Sequence, residues 1–155
     1  MSAPADRETD IRDVPSNIAN GTKSIRVLLA DDHQAVLDRV VAVLSGEFTI
    51  VAAVTDSAEA VAAAARLHPD VLVFDVSMPG LNGFEAATDI RDAGSTAVVV
   101  FLTVHDEPAF LQAAWEAGAL GYVCKPHVSS DLIPAIRAAL DGRRFVSASI
   151  ASHDA

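Results

Sequence analysis

The chain is predicted to be an α/β protein in which a five-stranded parallel sheet is covered by helices on both faces. The first ground is alternation: five short β-branched runs are separated by longer Ala-rich segments, the pattern of repeated βα units. The second is that these runs are almost continuously apolar, as strands buried on both faces are. The third is punctuation, since each run stops at a polar residue or just before one.

Taken in order, the strands are placed at 25–30, 48–54, 71–74, 97–103 and 121–124. Helices at 34–44, 57–67, 83–92 and 107–117 lie between them, and one at 131–140 follows, each with apolar residues at helical spacing. In the second helix Ala60, Val61, Ala64 and Leu67 form one stripe behind Ser57, and Asn82 and Asp106 stand where they can cap the helices that follow them. Pro134 removes a backbone donor near the start of the last helix, so that helix is expected to be shifted or shortened. Right-handed crossovers distribute the helices over both faces.

Residues 1–24 mix charge with Pro, Ser, Asn and Gly and read as a flexible tail, with 11–18 as a segment that could instead dock; 25–145 form the folded domain and 146–155 a second tail. With 155 residues, 51% of them hydrophobic, and a mean hydropathy of +0.32, the chain can bury one core. Its 21 acidic and 11 basic residues give a net charge of −10, which repels phosphate backbones and argues against direct nucleic-acid binding. No apolar run approaches the roughly 20 residues needed to span a bilayer, so no membrane association is expected. The single cysteine, Cys124, cannot close an internal disulfide, and a reducing, cytoplasmic location fits it.

In open α/β sheets the ligand site lies outside the carboxyl ends of the strands. Here those ends carry Asp31 and Asp32 on the first strand, Asp75 on the third, Thr103 on the fourth and Lys125 on the fifth. Three carboxylates on one rim raise each other's proton affinity unless a lysine or a hard divalent cation offsets them, and an oxygen-rich site favours Mg²⁺. The chemistry this suits is phosphoryl transfer onto a carboxylate. Asp75 is the best nucleophile, standing alone on its strand between the acidic pair and Lys125 if the strand order is 2-1-3-4-5. Thr103 can donate its hydroxyl to an acquired phosphoryl oxygen, a contact that could bias a conformational equilibrium. His33 and His105 are set aside as ligands because hard ions prefer oxygen. Cys124 is read as a small buried hydrophobe and Trp115 as packing. Pro126 after Lys125 suggests a constrained peptide, with the cis form as one option.

The stretches LLADDH, LVFDVSMPGLNGFE, VVFLTVHDE and GALGYVCKP, in this order and spacing, resemble the receiver domain of a two-component response regulator over about residues 25–145. The wording is most similar to receivers of the NarL/LuxR type. The resemblance implies a flavodoxin-like (βα)5 three-layer sandwich with strand order 2-1-3-4-5. It further implies phosphorylation of Asp75 by a sensor histidine kinase or phosphotransfer protein, with Mg²⁺ as cofactor. By position it makes Asp32 and Asp75 direct metal ligands, Asp31 a ligand through water, and the Ser77 carbonyl a further ligand. Lys125 pairs with the phosphoryl group, and Thr103 and Tyr122 form a switch pair. Ser77, Val104 and His105 occupy positions that tune the phosphorylation and dephosphorylation rates, with Val104 expected to restrict access to Asp75. Such a domain catalyses only its own phosphorylation and dephosphorylation, and its output is altered protein–protein contact, including phosphorylation-dependent homodimers through the face around 107–117 and 131–140.

After Gly142 only RRFVSASIASHDA remains, too short for a helix-turn-helix unit, so a receiver without an output domain is expected. A receiver fragment of a DNA-binding transcriptional regulator and a receiver-like adaptor that is never phosphorylated are the alternatives.

Overall fold

A computed structural model of the chain describes residues 24–150. The expected N-terminal tail, and the segment at 11–18 proposed to dock, lie outside the described residues, Ser24 apart. The elements run β1 (Arg26–Ala30), α1 (Gln34–Leu44), β2 (Thr49–Val54), α2 (Ser57–Leu67), β3 (Val71–Asp75), α3 (Gly83–Asp92), β4 (Val98–Thr103), α4 (Pro108–Glu116), β5 (Gly121–Cys124), α5 (Val128–Leu140) and β6 (Phe145–Val146). The sheet order is β2-β1-β3-β4-β5-β6, every pairing is parallel, and the fold is the flavodoxin-like three-layer sandwich expected.

Two apolar layers flank the sheet. Leu37, Val40 and Leu44 of α1 and Leu132, Ile136 and Ala139 of α5 pack with Val27, Leu29, Val71, Val73 and Val100 on one side. On the other, α2, α3 and α4 contribute mostly alanines, among them Ala60, Ala63, Ala64, Ala86, Ala87 and Ala114, around Phe74, Phe101 and Tyr122. Small residues there let helix backbones approach the sheet, and the aromatic rings fill the remaining volume. Burial on both faces holds for the central β3, while β2 is an edge strand and only half-buried.

Four expectations need correction. The tail assigned to 146–155 is folded as far as Ile150. Phe145 and Val146 pair with Gly121 and Tyr122, the Ser147 hydroxyl accepts from the Cys124 amide at 2.9 Å and donates to Asp131 at 2.7 Å, and Ile150 is buried. The physical reason is that β5 would otherwise present an unpaired edge. Residues 151–155 lie outside the described residues. Secondly, α5 is not shortened: it starts at Val128, whose buried side chain docks into the core, and runs through Pro134. Pro134 and Ser130, whose carbonyl loses its donor, are both exposed, so water can take up that carbonyl. Thirdly, no described peptide bond is cis, and Lys125–His127 forms a 3₁₀ turn whose first carbonyl accepts from Val128. Lastly, Cys124 is half-buried rather than fully buried.

Helix ends follow local chemistry. Asp56, not Ser57, caps α2 by accepting from Glu59, and Asn82 with Glu85 forms a reciprocal capping box on α3. Glu107 rather than Asp106 precedes α4, with Pro108 in its first turn. No helix among the described residues is long and apolar enough to cross a membrane.

Candidate functional site

The parallel register delivers Asp31, Asp75, Thr103 and Lys125 to one rim, as the spacing of the strand ends predicts. Asp31 follows β1 directly and Asp75 ends β3; both are buried, as is Thr103 at the end of β4. Asp32 is on the surface beside them, its side chain 32% exposed. Lys125 reaches between the two buried acids: its Nζ is 2.9 Å from Asp31 Oδ2 and 3.1 Å from Asp75 Oδ1. The Asp31 contact is an ion pair by distance and lacks hydrogen-bond alignment. Asp75 Oδ1 also accepts the Ser77 amide at 3.3 Å, while Asp75 Oδ2 is buried with no hydrogen-bond partner among the described residues.

Electrostatics follow from this placement. Burial, and then the charge of Asp31, push the Asp75 carboxyl above its ordinary range; Lys125 opposes the shift without cancelling it. For Lys125, burial works against the charged form, but the close contact with Asp31 and the charges of both acids outweigh it and raise the amine. One ammonium therefore faces three carboxylates. Ligand atoms of Asp31, Asp32, His33 and Asp75 lie within 4.8 Å of one another, and the orphaned Asp75 oxygen points to a missing positive charge. The donor set and the uncompensated charge fit a hard divalent cation.

The loop after Asp75 is held against the rim. A Cβ on Gly83 would stand 2.1 Å from the Asp75 carbonyl oxygen, so only glycine lets α3 begin this close to β3. Ser57 pins the same loop, its hydroxyl donating to the Pro79 carbonyl at 3.1 Å and accepting from the Leu81 amide at 2.7 Å.

Thr103 and Tyr122 meet at His105. The His105 amide donates to Thr103 Oγ1 at 2.8 Å, and the buried Tyr122 hydroxyl donates to the His105 carbonyl at 3.2 Å. Burial, reinforced by the charges of Glu107 and Asp106, raises the Tyr122 hydroxyl, so it is a donor at neutral pH. The His105 ring stacks on Phe110 of α4, centroids 4.2 Å apart, and its Nε2 lies 3.5 Å from Ser77 Oγ. Val104 is 69% exposed and lines, with Ser77, His105, Asp75 and Lys125, an open cleft of about 610 Å³. Trp115 packs against the α4 side of the core and carries the Arg144 guanidinium 4.4 Å above its ring.

The rim residues named from the sequence are thus brought together. His33, not read as a ligand from the sequence, lies beside the acidic cluster, and the close-approach role of Gly83 is not visible in the sequence. Adjacency in the Asp31-Asp32-His33 run was the available signal for the first. Nothing local announces the second, because the carbonyl it avoids is eight residues away.

A family model for the response regulator receiver domain matches residues 27–137. Response regulator GacA of Pseudomonas viridiflava is 35% identical over 130 residues, covering 82% of this chain and 60% of GacA. The chain spans less than two thirds of the length of the first curated relatives it matches. A crystal structure of a LuxR-family two-component response regulator from Aurantimonas sp. SI85-9A1 is 36% identical with a TM-score of 0.78, over 83% of this chain and 94% of that one. The isolated receiver domain of RcsB from Salmonella enterica serovar Typhimurium, determined in the presence of the phosphomimetic BeF3−, is 28% identical with a TM-score of 0.76, over 83% and 97% of the two chains. Because the matched span begins in β1, ends in α5 and takes in every rim residue, the chain belongs to the response regulator receiver domain family.

Proposed function

We propose that this domain is a phosphoacceptor in which Asp75 takes a phosphoryl group from the phosphohistidine of a sensor kinase or phosphotransfer protein and thereby alters protein–protein contacts. The observation that carries the reading is the buried Asp75 carboxylate, paired through one oxygen with Lys125 and unpartnered at the other. An Asp75 oxygen attacks phosphorus, the phosphorus–nitrogen bond of the donor breaks, and the donor imidazole leaves with the electron pair and takes up a proton. Asp31, Asp32, Asp75 and the Ser77 carbonyl would hold Mg²⁺, which supplies positive charge to the transferring oxygens. Lys125 pairs with the phosphoryl group, a role supported by its position between Asp31 and Asp75.

Thr103 then exchanges partners. Its Oγ1, which now accepts from the His105 amide, turns to donate to the phosphoryl oxygen, and the backbone that Tyr122 also grips is released to adjust. Through the stack of His105 on Phe110 that adjustment reaches α4, so the contacts it alters, with a partner or a second copy, lie on the α4–β5–α5 face. Ser77, Val104 and His105 line the approach to Asp75 and set the rates of phosphorylation and hydrolysis. The work is done in the cytoplasm, where the kinase presents its histidine, and the domain turns over no metabolite.

The greater length of the curated relatives favours a second reading, in which this domain is the receiver portion of a DNA-binding transcriptional regulator. The mass of the protein purified from its native cells separates the two.

Intact mass after incubation with acetyl phosphate, with and without Mg²⁺, tests the main proposal. A Mg²⁺-dependent phosphoryl adduct, absent from Asp75→Ala, is the expected result. No adduct with either a small donor or a kinase would leave a receiver-like adaptor that binds partners unmodified.

A further inference from the structure

The rim contains a nitrogen that an oxygen-only cation site does not need. His33 Nδ1 lies 3.2 Å from Asp31 Oδ1 and 3.1 Å from Asp32 Oδ1. Neighbouring ligands set at right angles about 2.1 Å from a small divalent ion are roughly 3.0 Å apart, so these two distances have the length of edges of one coordination shell. The His33 amide donates to the same Asp31 Oδ1 at 2.8 Å, and the ring Nδ1 is itself hydrogen-bonded to that oxygen at 3.2 Å, so backbone and ring are both held against Asp31. His33 is also the residue before α1, yet its side chain makes no capping bond to the helix and is therefore uncommitted on that side. The imidazole is 66% exposed, so an ion can enter beside it. An independent observation points to a ligand at the same place. Asp75, a member of the same 4.8 Å cluster, is only 3% exposed, and its Oδ2 has no hydrogen-bond partner among the described residues.

We propose that His33 is a nitrogen ligand of the rim cation and shifts its selectivity, raising affinity for nitrogen-accepting divalent ions such as Mn²⁺ and Co²⁺ relative to Mg²⁺. The proposal rests on the metal-binding part of the reading above. Its chemical basis is that imidazole suits later first-row ions, whereas Mg²⁺ is served by carboxylate, carbonyl and water oxygens. A His33 that merely steadied Asp31 and Asp32 by hydrogen bonding would strengthen the binding of all these ions alike. The ratio of affinities separates the two roles.

The test uses the full chain with the metals alone. Calorimetric titration with Co²⁺ and with Mg²⁺ should show a Co²⁺-to-Mg²⁺ affinity ratio about tenfold lower in His33→Gln than in the wild type, with Mg²⁺ binding little changed. Pulsed electron paramagnetic resonance of the Mn²⁺-loaded protein should show imidazole-nitrogen couplings in the wild type and in His105→Gln and none in His33→Gln. The exposed position of His33 and the survival of its amide bond to Asp31 in any variant keep the fold, and His33→Ala checked by circular dichroism provides the second variant. An unchanged affinity ratio, or nitrogen couplings that persist in both His33 variants, overturns this proposal and leaves the rim's cation intact. Failure of the wild type to bind either ion overturns the metal reading together with it.

Discussion

Within β3, Val71–Phe74 and Asp75 are buried to nearly the same degree and yet obey opposite rules. The four apolar residues lose nothing polar on burial and each adds contacts to a core layer. Asp75 carries a charge into the same surroundings, meets a second carboxylate, and recovers only part of the cost through Lys125. The contrast extends to the whole molecule. The interior beneath the rim is a source of stability, while the rim holds charge that the bare protein does not fully compensate and that a cation or a covalent change can relieve.

Truncating the interior should have the largest effect. Phe101 is fully buried and meets Phe84 edge to face with centroids 5.0 Å apart. Phe101→Ala should cost about 3–5 kcal/mol in denaturant unfolding, the usual range for a buried aromatic. A loss below about 1 kcal/mol would place the stability elsewhere.

At the rim the sign should reverse. Because the native Asp75 carboxyl holds its proton more readily than an unfolded aspartate, its favourable contribution is present at acid pH and is lost as pH rises through the native value. At neutral pH, in metal-free buffer, Asp75→Asn should therefore stabilise the fold, on the order of 1 kcal/mol. The gain should shrink as pH falls through that raised range. Lys125 keeps Asp31 as partner in this variant, so the ammonium is not stranded. Thermal unfolding across pH checks both sign and trend, and a destabilised variant at neutral pH would break the comparison.

The smallest effect belongs to the cleft wall. Val104 is mostly exposed and contributes little to packing, so Val104→Ala should leave stability within about 0.5 kcal/mol of the wild type. It should quicken phosphorylation by acetyl phosphate by roughly two- to fivefold, a barrier change below about 1 kcal/mol. An unchanged rate would mean that Val104 does not obstruct the approach to Asp75.

Much of this was legible in the chain because βα units write their periodicity into sequence. The five strands read from the sequence agree with β1 to β5 to within a residue, though β6 goes unread, and three of the five helices, Gln34–Leu44, Ser57–Leu67 and Gly83–Asp92, have their observed bounds, since apolar spacing and polar strand ends are local signals. The misreadings were of another kind. Ser147 looks like a tail residue until the amide of Cys124 and the carboxylate of Asp131 supply its partners. Pro134 looks like a helix breaker until the carbonyl it orphans is found facing solvent. In each case the deciding group lies outside the local sequence pattern.

The sequence by itself determined the layered α/β architecture, the acidic balance and the set of residue types at the strand ends, because hydrophobic period and chain order are enough to specify those. Only the tertiary structure decided that Lys125 stands between Asp31 and Asp75, that one Asp75 oxygen is left bare, that Thr103 and Tyr122 converge on His105, and that His33 turns toward the acids. Those are distances and directions between side chains brought together by the parallel register of separate strands, and no one-dimensional pattern encodes them.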